Sequence, residues 1–168
     1  RIAPVGLAER GHHQRGILVI VGSYVKKTTA QLERLLADSR VEGFEFNARA
    51  GTAGNGDSEV DRVLPLAEAA LRSGCTTVVY TSREVVLTSR MQSEANLEPS
   101  TAISTALALL VRRLQTRTRV LIGKGGITSS AVATQGLGIC RAKVLGQILA
   151  GVPGWSQGAE AKWPGGSL

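Results

Sequence analysis

Two glycines and three hydroxyl residues follow an apolar run in the second half of this sequence. Lys124-Gly125-Gly126-Ile127-Thr128-Ser129-Ser130 comes directly after the run at residues 119–123. Glycines let a ligand approach the backbone closely, and the start of a helix presents unpaired N–H groups and a partial positive charge. These features together are typical of a turn that binds phosphate.

A plainer interpretation fits the same residues. The lysine precedes the glycines instead of following them as in a P-loop, and the spacing is not the G-x-G-x-x-G of dinucleotide-binding folds. A tight strand-to-helix turn, with Thr128 or Ser129 as an ordinary helix cap, explains the pattern equally well. The residues alone leave both interpretations open.

Two further polar segments follow predicted strands. Gly22-Ser23-Tyr24 comes after the first strand, where Ser23 is either a turn former or a ligand contact. Thr81-Ser82-Arg83-Glu84 comes after the third strand and is either a salt-bridged turn or a second ligand contact. Ligands of open α/β sheets bind beyond the carboxyl ends of the strands, so all three segments can contribute to one site.

Several other chemistries find no support in the residue types. The only histidines, His12 and His13, are neighbours near the start of the chain, so no Ser-His-Asp or Cys-His set can be built and nucleophilic hydrolysis is disfavoured. The residue types indicate no other catalytic residue. Cys75 and Cys140 lack the spacing of metal ligands, which predicts two buried free thiols and no metal site.

The elements that must position these segments alternate between strand and helix. Apolar runs predict strands at 17–21, 44–47, 76–81, 119–123 and 143–149. Helical spacing of leucines and alanines predicts helices whose caps are Thr28 (paired with Gln31), Ser58 and Ser100, and a short helix after the turn. A long polar connection runs from Ser82 to Pro99.

This alternation predicts an α/β fold in which layered helices surround a mostly parallel sheet, Rossmann-like and in a single domain. The chain has 168 residues, of which 43% are hydrophobic and 20% charged, an ordinary balance for one domain of this class.

The net charge of +7 permits a polyphosphate or nucleic-acid partner. Basic residues are scattered apart from the cluster Arg112, Arg113, Arg117 and Arg119, and aromatics make up only 4%, so stacking on nucleic acid is disfavoured. The sequence contains no long apolar span and no signal peptide. We therefore expect a cytoplasmic protein without nucleic-acid or membrane partners.

Four segments in order resemble one known family. Residues 22–32, Tyr80-Thr81-Ser82-Arg83-Glu84, residues 124–130 and residues 145–153 are similar to blocks of the nucleotide-binding domain of the four-carbon acid sugar kinase family. The resemblance implies the C-terminal domain of a larger two-domain kinase, with residues 1–15 as an approach segment and the N-terminal substrate domain absent.

The resemblance also implies ligands and residue roles. ATP would contact Ser23, Gly125, Gly126, Ile127 and Thr128, and the further candidates are Lys124, Ser129 and Gly146. Mg²⁺ would accompany ATP, and a four-carbon acid sugar would bind to the other domain, leaving this part inactive by itself. A nucleotide- or dinucleotide-binding module without kinase activity is the alternative, and homo-oligomerisation stays open.

Overall fold

Four parallel strands form the centre of the molecule. The computed structural model describes residues 16–23, 25–52, 55–83 and 97–168, without the side chains of 51, 52 and 97–99. The strands are β1 Ile17–Val21, β2 Val41–Phe46, β3 Thr76–Thr81 and β4 Val120–Lys124. They are ordered β2-β3-β1-β4 and all pairs are parallel, with Val19 opposite Val78 on one side and Ile122 on the other.

The apolar runs form strands because both faces of the sheet are covered by helices. Leu18 and Ile20 of β1 point into the larger core, whereas Val19 and Val21 point into a smaller one. The helices are α1 Lys26–Leu36, α2 Ala48–Thr52, α3 Gly56–Arg72, α4 Leu97–Arg113 and α5 Gly126–Ala131. A π-helical turn, Val132–Gly136, continues α5 directly.

The two layers contain different helices. α1 packs through Leu32, Leu35 and Leu36 on the smaller core. α3, α4 and the π-helical turn pack on the opposite face, where Leu71, Leu107 and other side chains are fully buried. The predicted α/β fold with layered helices around a parallel sheet in one domain is therefore confirmed.

A hairpin lies outside the parallel sheet. Strand β5 Ala142–Leu149 pairs antiparallel with β6 Val152–Gln157, and the C-terminal residues pair with β6 in turn. Leu121 N–H of β4 donates to Ser167 O, which ties this unit to the edge of the main sheet. The strand predicted at 143–149 is confirmed, and β6 was not predicted. Cys140 is exposed and Cys75 partly exposed, so the prediction of two buried thiols was wrong.

The predicted helix starts were wrong in several places. α1 begins two residues before Thr28, α3 begins before Ser58, and α4 begins at Leu97 instead of at Ser100. Neither α1 nor α3 has a side-chain cap, and the Ser58 hydroxyl donates to Asn55 O. The approach segment 1–15 and residues 84–96 of the long connection lie outside the described residues.

Lys162 closes the C-terminal end of α4. Its ammonium group donates hydrogen bonds to Val111 O at 3.0 Å and to Arg112 O, two of the carbonyls that a helix end leaves unpaired. Burial lowers the pKa of Lys162 from its ordinary value, and the charge of Glu68 opposes this effect. The group also lies 5.3 Å from the centre of the Trp163 ring. Lys162 thus fastens the C-terminal segment to the core helix.

Replacing Lys162 with methionine is expected to lower the free energy of unfolding by about 1–2 kcal/mol, because the stem is kept while hydrogen bonds from a half-exposed charge are lost. Chemical denaturation measures the change. Lys143→Met, at an exposed position of the hairpin, is the matched control and should unfold like the parent chain. Equal stability of the Lys162 variant would show that the contact contributes nothing.

Candidate functional site

The carboxyl ends of β1, β3 and β4 define a crevice at one edge of the sheet. The chain leaves β1 toward α1 on one face, and leaves β4 toward α5 on the other face. Neighbouring strands whose connections go to opposite faces open a crevice between them, and this is where open α/β sheets bind ligands. The sequence places polar segments after these three strands, and the residues of these segments that the structure describes lie around this crevice.

The glycine turn between β4 and α5 is built on a backbone that favours glycine. Gly125 is the N-cap residue of α5, with φ of +109° and no side-chain hydrogen bond to the helix start. Of the two interpretations left open by the sequence, a helix cap at Thr128 or Ser129 is not what the structure shows, because α5 begins earlier, at Gly126. The N–H groups of residues 126–128 have no hydrogen-bond partner within the described part of the chain. These donors remain available to a ligand.

Gly126 lies under open space. A Cβ atom placed on Gly126 would meet no heavy atom of the described residues within 4 Å, although Gly123 and Gly125 are closely packed. Ile127, the next residue, is 45% exposed. The first turn of α5 therefore presents its free N–H groups on an uncovered surface, which is what binding of an anion requires.

Thr128 has a different position from the rest of the turn. Its side chain is buried, and its hydroxyl lies 3.1 Å from the hydroxyl of Ser104 on α4. A Cβ atom on Gly22 would lie only 1.9 Å from Thr128 Oγ1, so the end of β1 contacts this side chain without any gap. The Thr128 hydroxyl thus joins β1, α4 and α5, and only its backbone N–H is left for a ligand.

Ser23 lies beside the turn, as its position after β1 predicts. Its Cβ is 3.2 Å from the place a Cβ on Gly125 would take, and Gly22 N–H donates to Lys124 O at 3.2 Å. The Thr28 hydroxyl donates to Ser23 Oγ over 3.5 Å, a long contact that leaves the Ser23 hydrogen free to donate. The structure therefore brings Ser23 and the glycine turn together.

The further candidates occupy three different places. Lys124 is exposed at the end of β4, and Ser129 packs against Gly123 beneath the turn. Gly146 lies in the β5–β6 hairpin, opposite Gly154 and in a separate sheet. Gly146 takes part in none of the contacts around the turn that the described residues make.

A cleft of about 430 Å³ opens next to the turn, between α4 and α5. Its walls are rich in hydroxyl groups, which come from Thr101, Ser104, Thr105, Ser130 and Thr134. Sequence reasoning missed the members on α4. Their spacing of three and four residues along an otherwise apolar helix places them on one face and is the signal that could have found them.

From the sequence, Arg83 at the end of β3 belongs either to a salt-bridged turn or to a second ligand contact. The half-buried guanidinium donates to backbone carbonyls and to a hydroxyl, and it forms no ion pair with any described residue. Glu84 lies outside the described residues. Ser82 accepts a hydrogen bond from Ala48 N–H, so this residue does stabilise the start of α2.

Neither a metal centre nor a spanning helix is found in the described ranges. No group of three or more His, Cys, Asp or Glu side chains there is placed to hold a metal ion. The helices of residues 16–168 that the structure describes are too short or too polar to cross a membrane.

A sheet with a ligand crevice and an exposed glycine turn defines an α/β domain of the ligand-binding type. Residues 18–165 match the family described as nucleotide-binding C-terminal domain, and the chain belongs to this family. The prediction of a nucleotide-binding domain is confirmed at this level. No curated protein matches the chain.

Two solved structures have a similar fold. A domain of unknown function from Bordetella bronchiseptica, crystallised with citrate as a domain-swapped dimer, superposes with a TM-score of 0.67 at 16% identity over 91% of this chain. A protein described as a putative tRNA synthase from Salmonella typhimurium LT2 superposes with a TM-score of 0.68 at 22% identity over 92%. This chain covers 36% of the length of each.

Proposed function

We propose that this domain binds ATP at the glycine turn and serves a kinase that phosphorylates the terminal hydroxyl of a four-carbon acid sugar of the threonate, erythronate or 3-oxo-tetronate type. The observation that carries the proposal is the open surface above Gly126, bordered by unpaired N–H groups at the crevice of the sheet. Membership of the nucleotide-binding family supports the ligand class. The four segments that resemble the four-carbon acid sugar kinase family support the kinase activity.

The residues of the turn would act on the phosphates. The N–H groups of Gly126, Ile127 and Thr128 would donate to phosphate oxygens, and the Ser23 hydroxyl would donate from the neighbouring strand. Lys124 would add a positive charge at the rim. Fixed donors of this kind neutralise negative charge without reorganising, which is the main requirement of phosphoryl transfer.

The hydroxyl-lined cleft beside the turn would take the nucleoside. Its volume of about 430 Å³ falls within the ordinary range of small-molecule sites. The exposed hydroxyl residues Thr105 on one wall and Ser130 on the other would supply hydrogen-bond partners for a ribose or a base. The phosphates would then extend from the cleft to Gly126, which lies at the boundary between cleft and turn.

Mg²⁺ fits this part of the chain poorly. Its preferred ligands are carboxylates, waters and phosphate oxygens, and no carboxylate is among the described residues that contact the turn. We therefore assign Mg²⁺ no ligand from these residues. The acid sugar and the base that accepts its proton are assigned to a second domain, whose closure over the turn would exclude water.

The thermal stability of this domain tests the proposal. ATP or ADP at about 100 times the dissociation constant should raise the free energy of unfolding by about 2.7 kcal/mol. For a domain of this size, this increase corresponds to a rise in melting temperature of roughly 5–10 °C. NAD at the same concentration should have a smaller effect.

Other outcomes favour other functions. A shift with NAD alone would favour a dinucleotide-binding module. Binding to a nucleic-acid duplex that weakens steeply with salt and ignores added nucleotide would favour a basic interaction domain. The kinase activity itself is tested by assaying the two-domain enzyme on four-carbon acids with ATP.

A further inference from the structure

Arg83 connects the ends of two strands through its guanidinium group. Nε and Nη2 both donate to Thr81 O, at 2.8 and 2.7 Å, and Nη2 also donates to Thr81 Oγ1 at 2.8 Å. Nη1 donates to Ser23 O at 2.7 Å. These short bonds place one planar side chain between the carboxyl end of β3 and the first residues after β1.

The described hydrogen-bond partners of this guanidinium are all neutral oxygens. Arg83 forms no ion pair with a described residue, and burial lowers its pKa from the ordinary value while the more distant charge of Glu45 opposes this effect. A half-buried cation loses hydration, and the described groups that replace this hydration are carbonyl and hydroxyl oxygens. The carbonyls of Thr81 and Ser23 therefore fix the guanidinium between the two strand ends.

The residue held by Arg83 is the one that contacts the glycine turn. Ser23 lies against Gly125, and the preceding Gly22 is bonded to Lys124 O. Among the described residues, the hydrogen bond that the Ser23 side chain accepts is the long contact from Thr28. The Nη1 bond to Ser23 O is therefore the strongest described contact that fixes Ser23 relative to the sheet.

We infer that Arg83 is a positioning residue of the nucleotide site, which holds Ser23 against the glycine turn so that the Ser23 hydroxyl can donate to a phosphate oxygen. The inference rests on the proposed function. It assigns a role to the carboxyl end of β3, which supplies no direct phosphate ligand in the proposed function. The bidentate geometry is essential to this role, and a lysine ammonium cannot reproduce it.

The first test compares Arg83→Lys and Arg83→Met by calorimetric titration with ATP. Both variants should bind ATP about tenfold more weakly than the parent chain, a loss of about 1.4 kcal/mol, because both lose the fork that spans Thr81 and Ser23. Arg62→Met is the matched control. Arg62 likewise donates to a carbonyl near a strand end, Glu45 O, but this carbonyl belongs to β2, the edge strand farthest from the glycine turn after β4. The ATP affinity of Arg62→Met should equal that of the parent.

The second test asks whether Arg83 acts through Ser23. With Ser23→Ala already in place, Arg83→Lys should weaken ATP binding less than about threefold, because the hydroxyl that Arg83 positions is gone. In the ligand-free protein, Arg83→Lys should move the amide resonances of Ser23 and Gly125, whereas Arg62→Met should not. Both results together support the inference.

The measurements distinguish failure of the proposed function from failure of the positioning role of Arg83. If the parent chain binds no ATP, the proposed function fails and the nucleotide role of Arg83 fails with it. If the parent binds and Arg83→Lys binds equally well, charge alone is sufficient and the positioning role is overturned. Equal losses from Arg83→Lys with and without the Ser23 hydroxyl also overturn it, since the effect would not pass through Ser23.

Discussion

Replacing Gly126 with valine is expected to weaken ATP binding at least about 100-fold, or about 2.7 kcal/mol, while the ligand-free domain melts at or slightly above the temperature of the parent chain. A Cβ atom at this position meets no atom of the described part of the chain within 4 Å, so we expect the folded domain to accept the larger side chain. The backbone there is already helical, where valine is slightly preferred to glycine. The same side chain fills the space that a phosphate needs.

Two measurements on each variant check this expectation. Calorimetric titration gives the ATP affinity, and thermal unfolding without ligand gives the stability. Glu33→Val is the matched control, since it adds the same side chain at an exposed helical position of α1 and should leave ATP affinity unchanged. Normal ATP binding by the Gly126 variant would place the phosphates elsewhere. A large fall in melting temperature would contradict the open space above the turn.

The sheet could be predicted from sequence because its signal is local. A continuous apolar run such as Ile17–Val21 must be buried on both faces of a sheet, because its successive side chains point to opposite faces. A parallel strand between two layers of helices provides this burial. The strand Thr76–Thr81 was predicted at its observed bounds for the same reason. The glycine turn could be found because Gly-Gly at a strand end is a local feature with a specific backbone consequence.

The roles of the hydroxyl residues could not be predicted, because they depend on partners that are distant in sequence. Thr28 has the spacing of a helix cap, yet its hydroxyl donates to Ser23 before the helix. Thr128 fits a cap or a phosphate ligand equally well from sequence, whereas in the fold its hydroxyl pairs with Ser104, 24 residues away. A cap and a tertiary contact use the same side chain, and only the packing decides between them.

Strand β6 and Arg83 were missed for related reasons. Val152–Gln157 contains a proline and a glycine and has no clear alternation, so its pairing with β5 and with the C-terminal residues carries no strong local pattern. Arg83 lies next to Glu84 in sequence, which favours a local ion pair as the interpretation. Its observed partner Ser23 is 60 residues away and becomes a neighbour only because β1 and β3 pair.

Gly22→Ala is expected to have the opposite signature to the Gly126 variant, with a large loss of stability. The added Cβ would lie 1.9 Å from Thr128 Oγ1 and 2.9 Å from Thr128 Cβ. The Thr128 side chain is buried and bonded to Ser104, so it cannot turn away without losing that bond. Overpacking of this kind costs about 1–3 kcal/mol, and the lost buried hydrogen bond adds about 1 kcal/mol.

A double-mutant cycle shows whether this contact is the cause. Thr128→Ser keeps the oxygen at its place and should give no relief to Gly22→Ala, whereas Thr128→Gly removes every atom of the conflict and should relieve most of it. Chemical denaturation of the single and double variants measures the coupling. Additive losses with Thr128→Gly would show that β1 and α5 do not meet at this point. Strong coupling would mean that the end of β1 and the glycine turn are held by one buried contact, so that any ligand bound by both finds them already in place.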